Sequence, residues 1–116
     1  MSTITFAPGS STATAGGQVQ PGGRALYYVA AQAGQTMTVS LNPAAGLAFQ
    51  VYRPDTTIAR AADGTPLITG RTLPDAGFGD NAQAWMGALP TTGDYLIAVG
   101  PTGVAGAVFS LTVTLQ

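Results

Sequence analysis

Two carboxylates, Asp75 and Asp80, stand close together in the Gly-rich stretch Pro74-Asp-Ala-Gly-Phe-Gly-Asp80. Such a pair could hold calcium or act as a paired-carboxylate hydrolase. Calcium requires about six to eight oxygens, however, and a glycosidase pair requires a sugar cleft that raises one carboxyl pKa. Nothing in the flanking residues supplies either, so the plainer reading is two solvated loop aspartates. Asp94, after Gly93, reads as a turn residue whose carboxylate bonds nearby backbone N–H groups. Asp55 and Asp63 read the same way, with Arg53 or Arg60 as weak surface partners. Trp85, Tyr52, Tyr27 and Phe78 could form an aromatic platform for a sugar. A chain with 8% aromatic residues has first use for them in its core. Ser10-Ser11 has no histidine to activate it, and Pro21-Gly22-Gly23-Arg24 lacks the lysine and helix of a phosphate cradle.

The missing residue types exclude more than the present ones suggest. The 116 residues contain four Arg and five Asp as their only charges, and no Lys, Glu, His or Cys. At 8% the charged fraction is far below the roughly 25% of an ordinary soluble domain. Without Cys there is no disulfide framework or thiol nucleophile, and without His as well no ordinary zinc site. The commonest general base and the Schiff-base amine are both missing. We therefore expect no enzyme, no catalytic, cofactor-binding or metal-binding residues and no cofactor. A net charge of −1 with four scattered Arg argues against binding nucleic acid or inserting into a membrane. Residues 1–23 carry no basic residue and no long apolar run, so they do not read as a signal peptide.

The elements that must position these residues show a period of two. Phe109, Leu111, Val113 and Leu115 alternate with Ser110, Thr112 and Thr114, and Met37, Val39 and Leu41 alternate with Thr36, Thr38 and Ser40. Each run predicts a strand with one core face and one hydroxyl face. Leu47, Phe49 and Val51 alternate with Ala48, Gln50 and Tyr52 and predict a third half-buried strand. Residues 24–31 and 95–99 are denser in apolar side chains and predict strands of undetermined facing. Weaker candidates span 4–6, 12–19, 67–71 and 82–89, and the stretch from 53 to 80 is the least regular. Turn chemistry falls between the runs at Ala33-Gly34, Asn42-Pro43, Thr92-Gly93 and Pro101-Thr102-Gly103, with Asp63-Gly64 the best hairpin signal. The pattern predicts an all-β chain: a single domain over 1–116, an antiparallel, jelly-roll-like β-sandwich of about eight strands.

Three segments then resemble a known group. They are residues 4–14 running on to Tyr28-Val-Ala-Ala-Gln-Ala-Gly-Gln-Thr-Met-Thr-Val-Ser-Leu41, the entry Leu89-Pro-Thr-Thr-Gly-Asp-Tyr-Leu-Ile-Ala-Val99, and the closing strand Phe109-Ser-Leu-Thr-Val-Thr-Leu115. Together they cover about two-thirds of the chain and resemble the bacterial pre-peptidase C-terminal-like sandwich, closest to its relatives, the inhibitors of goose-type lysozyme. In that group an Arg-bearing loop after the Gly-Asp-Tyr strand helps to block the enzyme cleft. Here that stretch, Gly100 to Ala107, has no Arg, which implies weak or absent binding to such a lysozyme.

The leading expectation is therefore a non-catalytic structural or binding module that assembles on or within a larger body. The settings are a virion, as a decoration or fibre-associated subunit, or the cell surface or extracellular space. Its partners would be proteins: copies of itself, in a dimer or trimer, or a shell or filament. The charge-poor exterior argues for such covering. The alternatives are a lysozyme-inhibitor-like protein and a carbohydrate-binding accessory domain.

Overall fold

The computed structural model describes residues 2–4, 6, 11–19, 24–42, 47–54, 56–60, 62, 66–73, 84–101 and 107–116. Ten strands run through them: β1 (Ser2–Ile4), β2 (Thr12–Val19), β3 (Ala25–Ala31), β4 (Thr36–Asn42) and β5 (Leu47–Tyr52), followed by β6 (Thr57–Arg60), β7 (Pro66–Thr69), β8 (Ala84–Ala88), β9 (Gly93–Pro101) and β10 (Ala107–Leu115). Two four-stranded sheets, ordered β1-β3-β9-β5 and β2-β10-β4-β8, form the sandwich, and β6 and β7 form a separate ribbon. Outside that ribbon, each strand lies in the opposite sheet from the one before it, and late strands insert between early ones. That path is a jelly roll, as the alternation predicted.

Pairing is antiparallel with one exception, which the sequence did not reveal. The three-residue strand β1 lies parallel to β3, with Ser2 opposite Tyr27 and Ile4 opposite Val29. The predicted span 4–6 therefore begins two residues too late. In the second sheet the register is as the alternation requires. Leu111 sits opposite Ala15 and Leu41, and Thr112 opposite Thr14 and Ser40. Met37, Val39, Leu41, Phe49, Val51, Leu111 and Val113 are all buried. Thr12 and Thr114 bond side chain to side chain at 3.1 Å on the outer face, and Thr14 and Thr112 at 3.3 Å.

The first sheet is covered on both faces, which explains its denser strands. Tyr27, Val29, Tyr95, Ile97 and Val99 face the main core, where Tyr27 meets Phe109 of the other sheet edge-on at 6.2 Å between ring centres. On the other face Leu26, Leu96 and Ala98 form a second core, closed by Tyr28, Tyr52, Ile58 and Ile68. Ile58 and Ile68 are a cross-strand pair of the ribbon, so β6 and β7 act as a lid over the first sheet. The expected half-burial of β5 is corrected accordingly: Ala48 and Gln50, on its outer face, are buried too. The segment expected to be least regular contains this ribbon. Its strands are joined across residues 61–65, a longer connection than a two-residue turn, and Asp63-Gly64 lies outside the described residues.

Burial also sets a pH dependence. The Tyr27 phenol is pushed above its ordinary value of 10.0 by burial, and so is that of Tyr52, against a smaller opposing pull from Arg24. A raised folded-state pKa means the folded chain holds these protons more tightly than the unfolded chain. The associated stability is whole below about pH 10 and drains as pH rises past it. The chain has no His or Cys, the side-chain types whose ordinary values lie between about pH 5 and 9. Denaturant midpoints should therefore be level across that range and fall above pH 10. Tyr27→Phe should flatten part of the fall; an unchanged alkaline slope would contradict the assignment.

Candidate functional site

Among the described residues, concave surface lies at one end of the sandwich, where the β3–β4 turn, the β8–β9 connection and the end of β5 meet. Tyr95 organises it from below. Its ring is fully buried, while its hydroxyl donates to the Thr91 carbonyl and accepts from the Thr91 N–H at 3.2 Å. The Thr92 hydroxyl accepts from the Ala33 N–H at 2.9 Å. Gly34 N–H donates to the Leu89 carbonyl at 3.0 Å and Leu89 N–H to the Gln35 carbonyl at 2.9 Å, which locks the two connections together. Gly34 has φ of 90°, the left-handed conformation that glycine adopts without strain. Pro54 packs so closely over Gly93 that a Cβ there would lie 2.6 Å from the Pro54 ring.

Two shallow hollows share Thr92. One, of about 270 Å³, is lined by Arg53, Pro54, Thr91 and Thr92. The other, of about 440 Å³, has Gln32, Gln35 and the exposed Asp94 among its polar lining. Next to the first, the Arg53 N–H donates to the Arg71 carbonyl at 2.8 Å, and Tyr52 bridges Thr72 one step along. Arg53 and Arg71 are thus opposite one another on adjacent backbone segments. Arg53 Nε is buried without a hydrogen-bond partner, while Arg71 is exposed.

The residues singled out in the sequence do not converge here. Asp55, Asp63, Asp75, Asp80, Phe78 and Ser10 lie outside the described residues, as does most of the 100–107 stretch. Among the described residues, the bonds around the β8–β9 turn come from Thr91, Thr92 and Tyr95, which corrects the turn-closing role expected of Asp94. The described aromatics follow the core reading rather than the sugar platform. Tyr27 and Trp85 are both buried in the main core, and Tyr52 lies on the opposite face of its sheet beneath the ribbon. Strand alternation sends them to different compartments. No group of three or more metal-ligating side chains occurs among the described residues. The Arg53–Arg71 apposition escaped the sequence reading because a hairpin separates the two; only a turn signal between them hinted at it.

The structure is similar to that of Aeromonas hydrophila PliG, a periplasmic lysozyme inhibitor of g-type lysozyme. The two share 28% identity with a TM-score of 0.71, over 98% of this chain and 94% of that one. Salmonella Typhimurium PliG, described in the same terms, is 18% identical with a TM-score of 0.68, over 98% and 96% of the two chains. A mutant of the Escherichia coli protein gives the same identity and TM-score. At 18% these last two bear on the fold alone. No protein-family model matches the chain, and no curated protein matches it either. All three neighbours are inhibitors rather than enzymes, and none is a virion component. The likeness lends no support to the wider pre-peptidase grouping or to a decoration role.

Proposed function

We propose that this chain is a non-catalytic binding protein of the bacterial envelope that blocks a goose-type lysozyme. The observation that carries the reading is the end-to-end similarity, at 28% identity, to the Aeromonas hydrophila inhibitor. It reverses the order of the readings drawn from the sequence, setting the inhibitor ahead of the virion subunit. The Arg-free stretch at 100–107 argued against inhibition because it removes a cationic contact. Arg53 and Arg71, brought opposite one another by backbone pairing, offer cationic side chains at another place. Glycosidases work with paired carboxylates, and a guanidinium fork is the side chain best matched to a carboxylate.

The test is an inhibition assay on peptidoglycan suspensions. Goose-type lysozyme should lose its lytic activity at near-equimolar protein, and hen-type lysozyme should keep it. Replacing both Arg53 and Arg71 with Ala should weaken inhibition at least tenfold. Full lysis at a tenfold excess of the unmodified protein would overturn the reading.

A further inference from the structure

The ribbon of β6 and β7 is a sheet of its own, joined to the β5 edge through a narrow neck. At that neck Leu73 N–H donates to the Val51 carbonyl at 2.9 Å and Arg53 N–H to the Arg71 carbonyl at 2.8 Å, with the Tyr52–Thr72 bridge between them. Just beyond, the Thr56 N–H and hydroxyl both donate to the Arg53 carbonyl, at 3.1 and 2.7 Å. The other leg passes so close that a Cβ on Gly70 would lie 2.9 Å from the Thr56 Cα. Past this crossing the hold is slight. Of the described ribbon side chains, Thr57, Ala59 and Thr69 are exposed, while Ile58 and Ile68 are half-buried on the second core. The main core, by contrast, seals Val39, Ile97, Leu111 and Val113 completely. A two-stranded ribbon is at best marginally stable by itself, and segments with few buried apolar contacts open at far lower cost than the whole fold.

We propose that the ribbon is a flap that leaves the first sheet as one unit, parting Arg53 from Arg71, while the sandwich beneath stays folded. Opening bares Leu26, Leu96 and Ala98 as an apolar floor with Tyr28 and Tyr52 at its margin. Closure restores the backbone pairing that sets Arg53 opposite Arg71. The flap therefore gates the arginine pair. This coupling rests on the reading of that pair as the lysozyme contact. A lysozyme that grips both residues holds the flap shut, because a ligand stabilises the state it binds.

Amide hydrogen exchange, followed residue by residue by NMR, tests the flap on the free chain. The amides of Arg53, Thr56 and the ribbon ladder should share one protection factor, at least about 100-fold below those of Leu111 and Val113 on β10. Val113→Ala should lower protection on β10 at least tenfold and leave the ribbon unchanged within about twofold, because Val113 stays packed when the flap opens. Ile58→Ala, which weakens the closed flap, should lower ribbon protection at least tenfold. Ribbon protection equal to that of β10, or falling with it in Val113→Ala, would overturn the proposal, since the ribbon would then open only when the whole fold does. Saturating goose-type lysozyme should raise ribbon protection at least tenfold. Binding without that rise would overturn the coupling. No binding at all would overturn the inhibitor reading and the coupling with it, while the flap is judged on the free chain alone.

Discussion

Leu111→Ala should destabilise the protein by about 2–5 kcal/mol, while Thr112→Ala, one residue away, should cost well under about 1 kcal/mol. Leu111 is fully buried on the central strand β10, between Ala15 and Leu41. Its truncation removes apolar contacts and leaves a cavity that the neighbouring strands cannot collapse to fill. Thr112 faces outward, where its loss removes one side-chain bond to Thr14. Because a one-residue slip would exchange the two faces, the ratio of the effects reads the register directly. Chemical denaturation of both variants decides it, and equal losses would refute the register.

The second large effect comes from two adjacent glycines with opposite surroundings. Gly17 lies opposite Phe109 in the ladder, and a Cβ there would stand 2.8 Å from the end of the Phe109 ring and closer still to the Tyr27 hydroxyl. The edge-on Tyr27–Phe109 pair fills the space that a side chain would need. Gly17→Val should therefore cost at least about 1–3 kcal/mol through overpacking. Gly16 points the other way, and a Cβ added there would find its nearest neighbour, the Phe109 carbonyl oxygen, 4.0 Å away. Gly16→Ala should be neutral or stabilise by about 0.4–1 kcal/mol through the unfolded chain. Thermal midpoints that move together would show that the aromatic pair does not occupy that space.

The legibility of the sequence follows the wetness of the faces. Strands β4 and β10 belong to a sheet with one dry and one wet face, so their Thr and Ser residues mark every outward position. Strands β3 and β9 are covered by the second sheet on one side and the ribbon on the other, so alternation disappears and with it their facing. The ribbon was half visible: Leu67 and Ile68 suggested β7, but β6 offers a single large apolar residue, Ile58, among Thr, Ala and Arg. A three-residue parallel strand such as β1 has no periodicity to detect. The same logic explains the aromatics. Tyr27 and Trp85 could be weighed for a sugar platform beside their core use only because nothing in their local sequence says which face they take. The candidate site at the sandwich end was legible in its Gly-Asp-Tyr entry, which marks Tyr95, and illegible in Arg53 and Arg71, which only the folded ladder brings together.

The central claim is that this sandwich is a binding protein for a goose-type lysozyme rather than an enzyme or a shell subunit. Titration calorimetry of the purified chain against an active goose-type lysozyme tests it most directly. A one-to-one complex with a submicromolar dissociation constant, weakened at least tenfold by replacing both Arg53 and Arg71 with Ala, is the predicted result. No binding at 100 µM of either component would contradict the account.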